Sequence, residues 1–213
     1  MDREGYWTAF FHLTVALAYN TRFVSKEEAP KNYEDLLDPK WKGRISLDTD
    51  DMNLMGTLVD YWGREKGLAY FRKLAANDPV MRRGKSLQAQ TLVAGDVHVA
   101  PFLFGFQPAM LKQTGAPVEI VLLNPTLSHP SYLVLLKDAP RPHTAALFLD
   151  WALSQDGPMK IFAEEYGRGV PRQGYKGRFP ELSAARYLVV APEKIGPAYE
   201  EYRKTYCGIF KHC

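Results

Sequence analysis

Three short stretches hold the side chains with most chemical potential. The first is Arg82-Arg83-Gly84-Lys85-Ser86, placed directly before an apolar helical pattern, Leu87 to Ala94. A helix N-terminus presents free N–H groups and about half a positive charge, so a capping Ser86 flanked by Lys85 and Arg83 suits a carboxylate, phosphate or similar anion. Each such contact contributes about 0.3–1 kcal/mol when exposed and up to about 2 when partly buried. Micromolar affinity needs about 8 kcal/mol, so one helix end cannot hold a ligand by itself. As an alternative, Ser86 is an ordinary cap beside solvated basic residues.

The second stretch is Asp50-Asp51 with Asn53, at the start of another helical pattern in which Leu54, Leu58, Tyr61 and Trp62 recur at helical spacing. Its carboxylates suit an amine or a cation, or act only as caps. The third is Phe102 to Gln107, where Phe102, Phe104 and Phe106 surround Gly105 at the end of an apolar run. Phe104 there offers an aromatic wall for an organic ligand, or core packing under a loop. A turn-rich crossing adds His129 and Tyr132 beside Ser128 and Ser131, and Arg168 in the loop Gly167 to Val170 either faces a cleft or caps a helix C-terminus. No G-x-S-x-G, H-E-x-x-H or Rossmann fingerprint occurs, and Arg-Gly-Lys-Ser lacks the upstream glycine of a phosphate-binding P-loop. The sequence makes no case for catalysis.

The elements that must position these groups follow from periodicity. Asn32 and Asp35 have the spacing of a capping box for a short turn, and Lys40 to Gly43 make a corner into a strand, Arg44 to Asp48. Strands are then expected at Pro79 to Met81, Val97 to Phe104, Val118 to Leu123 and Tyr132 to Leu136, alternating with helices. Trp7 to Tyr19 is rich in aromatic and β-branched residues and predicts one or two buried strands. Such alternation argues for an α/β fold, a parallel-rich sheet with helices on both faces.

The run Y-E-D-L-L-D-P-K-W-K-G-R-I from Tyr33, followed by W-G-R-E-K-G-L-A-Y-F-R-K-L-A from Trp62, resembles the second lobe of bacterial extracellular solute-binding proteins of ABC importers, the branch containing the ferric-iron binders. The likeness continues through Ala94-Gly95-Asp96, Thr114 to Glu119 and Ala145 to Gly157. It implies a periplasmic-binding-protein-like fold that traps a small-molecule or ion ligand between two lobes by hinge closure, without covalent chemistry or a cofactor. It also implies delivery to ABC permease membrane subunits and a periplasmic or extracellular location. Residues 21–122 are then one complete lobe, and residues 1–20 and 123–213 are hinge strands and the C-terminal part of the other lobe, whose N-terminal part is expected to be missing. Orphan sheet edges in such a chain predict a dimer or swapped assembly. Ferric binders place adjacent tyrosines near residues 102–107; Phe102, Leu103 and Phe104 stand here instead, so no metal ligands are assigned. A transcription-regulator effector domain shares the architecture, but no helix-turn-helix is recognisable.

Composition agrees with a folded domain: 213 residues, 46% hydrophobic and 13% aromatic, fill a sizeable core. A net charge of +3 without any basic block gives no nucleic-acid arm. The longest apolar run, Thr8 to Ala18, falls short of the roughly 20 residues of a membrane span, and the first residues lack the apolar core of a signal peptide. Cys207 and Cys213 are either two tail thiols or a short-loop disulfide.

Overall fold

The computed structural model describes residues 7–154, 157–170, 174, 177–182 and 186–212. Its organising strand is β1 (Trp7–Asn20), one continuous element whose last eight residues, 13–20, are buried while residues 7–12 are half-buried. The difference explains why the segment alternates poorly: each half lies in a different environment. Along its buried half β1 pairs antiparallel with β4 (Val99–Phe104) on one edge and β5 (Val118–Val121) on the other. Along its first half it pairs antiparallel with β6 (Thr126–Val134), which is parallel to β7 (Tyr187–Val189).

Short strands β2 (Ser46–Asp48) and β3 (Val80–Arg82) are parallel to each other. A parallel bridge from Ile45 to Val99 joins them to β4, with His98 N and Val99 N both donating to Arg44 O. The order is therefore β3-β2-β4-β1-β5, and β1 runs against each of its neighbours in this parallel-rich sheet. The parallel sheet expected from the alternation of strands and helices therefore contains one reversed strand.

Helices α1 (Met52–Trp62), α2 (Arg64–Ala75), α3 (Lys85–Ala94) and α4 (Phe106–Gln113) separate these strands. Alternation along β1 assigns the faces: Val15, Leu17 and Tyr19 join a core with Leu58, Phe71 and Leu74, whereas Ala18 joins Ala89, Leu92 and Leu103. Helices α1 and α2 thus cover one face and α3 the other. The remaining helices are α5 (Pro142–Leu153), α6 (Met159–Glu164), α7 (Pro192–Ile195) and α8 (Tyr199–Phe210). Tyr206 and Phe210 of α8 enter the first core, so the tail helix returns to pack with α1 and α2.

Two sequence expectations need correction. The strand expected at Tyr132 to Leu136 begins at Thr126 and ends at Val134, because Ser128 to Ser131, read as a crossing, pair with Phe11 to Thr14. The cap expected at Ser86 is absent: α3 starts at Lys85, after Gly84 at φ 97°. Asp48 Oδ2 of β2 accepts from Gly84 N at 3.1 Å, so a distant strand end secures the helix entrance. The capping box at Asn32 and Asp35 is present: Asp35 N donates to Asn32 Oδ1 at 2.9 Å and Asn32 N to Asp35 Oδ2 at 3.3 Å. Cys207 is not a free thiol; Cys213 lies outside the described residues. Among the described residues no helix is long and apolar enough to cross a membrane.

Candidate functional site

The end of β2, the entrance of α1 and the entrance of α3 meet at one buried ion cluster. Lys85 Nζ lies 2.5 Å from Asp51 Oδ1 and 3.8 Å from Asp48 Oδ2, with all three side chains no more than 10% exposed. Asp48 also accepts from Asp50 N at 3.1 Å through Oδ1, and Asp48 N donates to Asp51 Oδ2 at 3.4 Å. The loop Thr49-Asp50-Asp51 is therefore wrapped around its own carboxylates, which fixes where α1 begins. Burial pushes the Asp51 carboxyl up to about 6, outweighing the opposing pull of Lys85.

This cluster forms the floor of a cavity of about 290 Å³ that Asp50, Asn53, Phe104, His129 and Tyr199 also line. Phe104 stands between the charges and the opposite side: its ring is 5.9 Å from Lys85 Nζ and 5.9 Å from the His129 ring. His129 Nδ1 is sealed from solvent without a hydrogen-bond partner. Burial, with the Lys85 charge adding, holds the imidazole below its usual value, so it is neutral at pH 7. A second cavity of about 410 Å³ shares Asn53, His129 and Tyr199 and continues to Pro130, Tyr132 and Val190. Tyr132 packs edge-on against Trp7 at 4.5 Å between ring centroids and donates to Val190 O at 3.4 Å. Burial pushes its hydroxyl up to about 12, so it stays a neutral donor.

Seven residues singled out in the sequence thus come together around two adjoining cavities: Asp50, Asp51, Asn53, Lys85, Phe104, His129 and Tyr132. Arg83 and Ser86 line neither; both are exposed, and Ser86 Oγ accepts from Gln107 Nε2 at 3.1 Å. Lys85 is occupied by two carboxylates and is no open anion receptor. Sequence reasoning missed Asp48 and Tyr199 as site residues. Asp48 ends a strand ahead of the loop, which was a usable signal; Tyr199 enters from the distant tail helix, and nothing local announces it. Among the described residues no His, Cys, Asp and Glu group of three or more is arranged to hold a metal ion.

Strand ends and helix entrances facing a second set of elements across a polar cavity are what a ligand-binding α/β protein presents. The chain belongs to the bacterial extracellular solute-binding protein family, whose model matches residues 1–190. Iron uptake protein A1 of Synechocystis sp. is 25% identical over 216 residues, covering 92% of this chain and 59% of that protein. An uncharacterized protein of Haemophilus influenzae is 26% identical over 165 residues, covering 72% of this chain and 47% of that protein. The chain therefore spans about half of the curated relatives it matches.

The fold is likewise similar to that of iron-bound HitA from Pseudomonas aeruginosa, with TM-score 0.80, 21% identity and coverage of 98% of this chain and 70% of that one. AfuA from Actinobacillus pleuropneumoniae with fructose-6-phosphate bound gives TM-score 0.70, 23% identity, and coverage of 97% and 67%.

Proposed function

We propose that this chain captures a small polar solute in the cavity between Asp50, Asp51, Lys85, Phe104 and Tyr199 on one side and His129 and Tyr132 on the other. It then delivers the solute to the permease subunits of an ABC importer, outside the cytoplasmic membrane. Family membership supports the transport role, and the joint cavity is the observation that carries the binding role. Residues 21–122 act as one lobe together with the buried half of β1, the central strand of their sheet, and with α8, while the first half of β1 with β6 and β7 forms the hinge strands and part of the other. A cavity bounded from both sides suits closure by a small hinge rotation.

The cavity's charge indicates what it receives. Asp48, Asp50 and Asp51 face one ammonium, Lys85, while His129 is neutral, so the floor is net acidic at pH 7. Asp50 is the exposed member and the one open to a ligand. The solute presents a hydrogen-bond donor or cationic group to Asp50 and an apolar face to Phe104. Phenylalanine and leucine at the end of β4 favour an organic solute over a bare metal ion.

The decisive experiment is mass spectrometry of small molecules released from the purified protein, followed by calorimetric titration with the compound found. The double variant Asp50→Asn, Phe104→Ala is expected to bind it at least about tenfold more weakly. Unchanged affinity would remove this cavity as the binding site.

A further inference from the structure

Arg168 is held in an unusual setting. Its guanidinium carbon stands 4.4 Å from the Phe106 ring centroid, 4.8 Å from Phe11 and 5.7 Å from Phe162, rings contributed by α4, β1 and α6. Its Nε is sealed from solvent and unpaired. Among the described residues it has no ion-pair partner and no side-chain hydrogen bond, whereas the exposed Arg178 donates to Gln113 Oε1 at 2.8 Å and Lys112 pairs with Glu119 at 2.8 Å. The backbone is pinned as well. Arg168 N donates to Phe162 O at 2.8 Å, and Gly169 exchanges two hydrogen bonds with His12, at 2.6 and 3.0 Å.

Aromatic faces satisfy only part of what a guanidinium requires. Rings attract its positive charge and cover its flat sides, but they accept none of the N–H groups that lie in its plane. A buried donor left unpaired costs about 1–3 kcal/mol, more when charged. The three rings shield part of this half-buried group from water, which strengthens a charge interaction made there. The group matching a planar, two-pronged set of donors is a carboxylate or phosphate. We infer that Arg168 is an oxyanion-binding residue, taking a carboxylate or phosphate on the free edge of its guanidinium while Phe11, Phe106 and Phe162 hold the plane in place.

A cation serving only as a packing staple between β1, α4 and α6 would affect stability and ignore anions, which separates the two roles. The full chain, labelled with nitrogen-15, is titrated with inorganic phosphate and, separately, with malonate, at ionic strength fixed by sodium chloride. Through-bond assignment identifies the Arg168 Nε–H resonance. It is expected to shift saturably with at least one of the two anions, and which anion is the tighter binder distinguishes a phosphate site from a carboxylate site. In Arg168→Lys, which keeps the charge but loses the fork, apparent affinity is expected to fall at least about tenfold. An Nε–H resonance that stays in place with both anions, or moves no more than those of exposed arginines, overturns the assignment even if the variant fails to fold. Arg168 does not line the cavity of Asp50 and Phe104, so failure here leaves the solute site untouched, and Asp50→Asn, Phe104→Ala should not change the anion response.

Discussion

Lys85 Nζ lies 2.5 Å from Asp51 Oδ1 with both side chains almost sealed from solvent, so each charge depends on the other. Removing one member of a buried pair strands its partner and costs about 3–5 kcal/mol. Lys85→Met is therefore expected to lower unfolding free energy by about that amount in urea titration. Lys85→Met with Asp51→Asn should recover much of the loss, because Asp48 keeps its backbone donors at Gly84 and Asp50. A double variant no more stable than the single one would contradict this coupling.

The same pair sets a pH dependence. An acid whose folded pKa is raised takes up a proton in the native state first, so Asp51 favours the native state below about pH 4 and forfeits that support as pH rises through about 6. Over that interval the folded chain binds more protons than the unfolded one, and this group makes stability fall with pH by roughly 2–3 kcal/mol. The stability difference between wild type and Asp51→Asn, measured by urea denaturation from pH 4 to 7, should decline accordingly. A difference that rises with pH would mean that Lys85, and not burial, dominates the carboxyl.

How much of this was readable beforehand depends on how local each cause is. The capping box at Asn32 and Asp35 and the order of strand β2, polar loop and helix α1 rest on neighbours in sequence, and they stand where periodicity put them. The start of α3 does not: Gly84 N is held by Asp48, which lies 36 residues away, so a serine in the right place never became the cap. Pro130, a turn signal by itself, sits inside β6 opposite His12 because β1 supplies an edge that sequence alone could not reveal. The cavity was legible in Asp50, Asp51, Lys85 and Phe104 and in His129 and Tyr132 across from them, but not in Tyr199, which arrives beside Met52 on the last helix.

Gly67 tests the packing that holds α1 against α2. A Cβ there would stand 2.6 Å from the Cα of Val59, a backbone atom that cannot rotate away. Alanine ordinarily stabilises a helix by about 1 kcal/mol relative to glycine, but overpacking costs about 1–3 kcal/mol and more when backbone must shift. Gly67→Ala is therefore expected to lower the denaturation midpoint. A raised midpoint would show that the two helices separate at little cost, and the core containing Leu58 and Phe71 would then be looser than its burial implies.

Tyr206 links the tail helix to the site. Its ring is 1% exposed, and its hydroxyl donates to Asp48 O at 2.5 Å, at the strand end that carries the ion cluster. Tyr206→Phe leaves a buried carbonyl without that donor, which costs about 1–3 kcal/mol. Tyr199, on the same helix, makes only a weak contact from its hydroxyl to Met52 Sδ at 3.8 Å, so Tyr199→Phe should cost well under about 1 kcal/mol. The two variants remove the same atom from one helix, and urea unfolding of both isolates the role of Asp48. Equal losses would show that α8 is held by its apolar face alone, and that the site's strand end gains nothing from the tail.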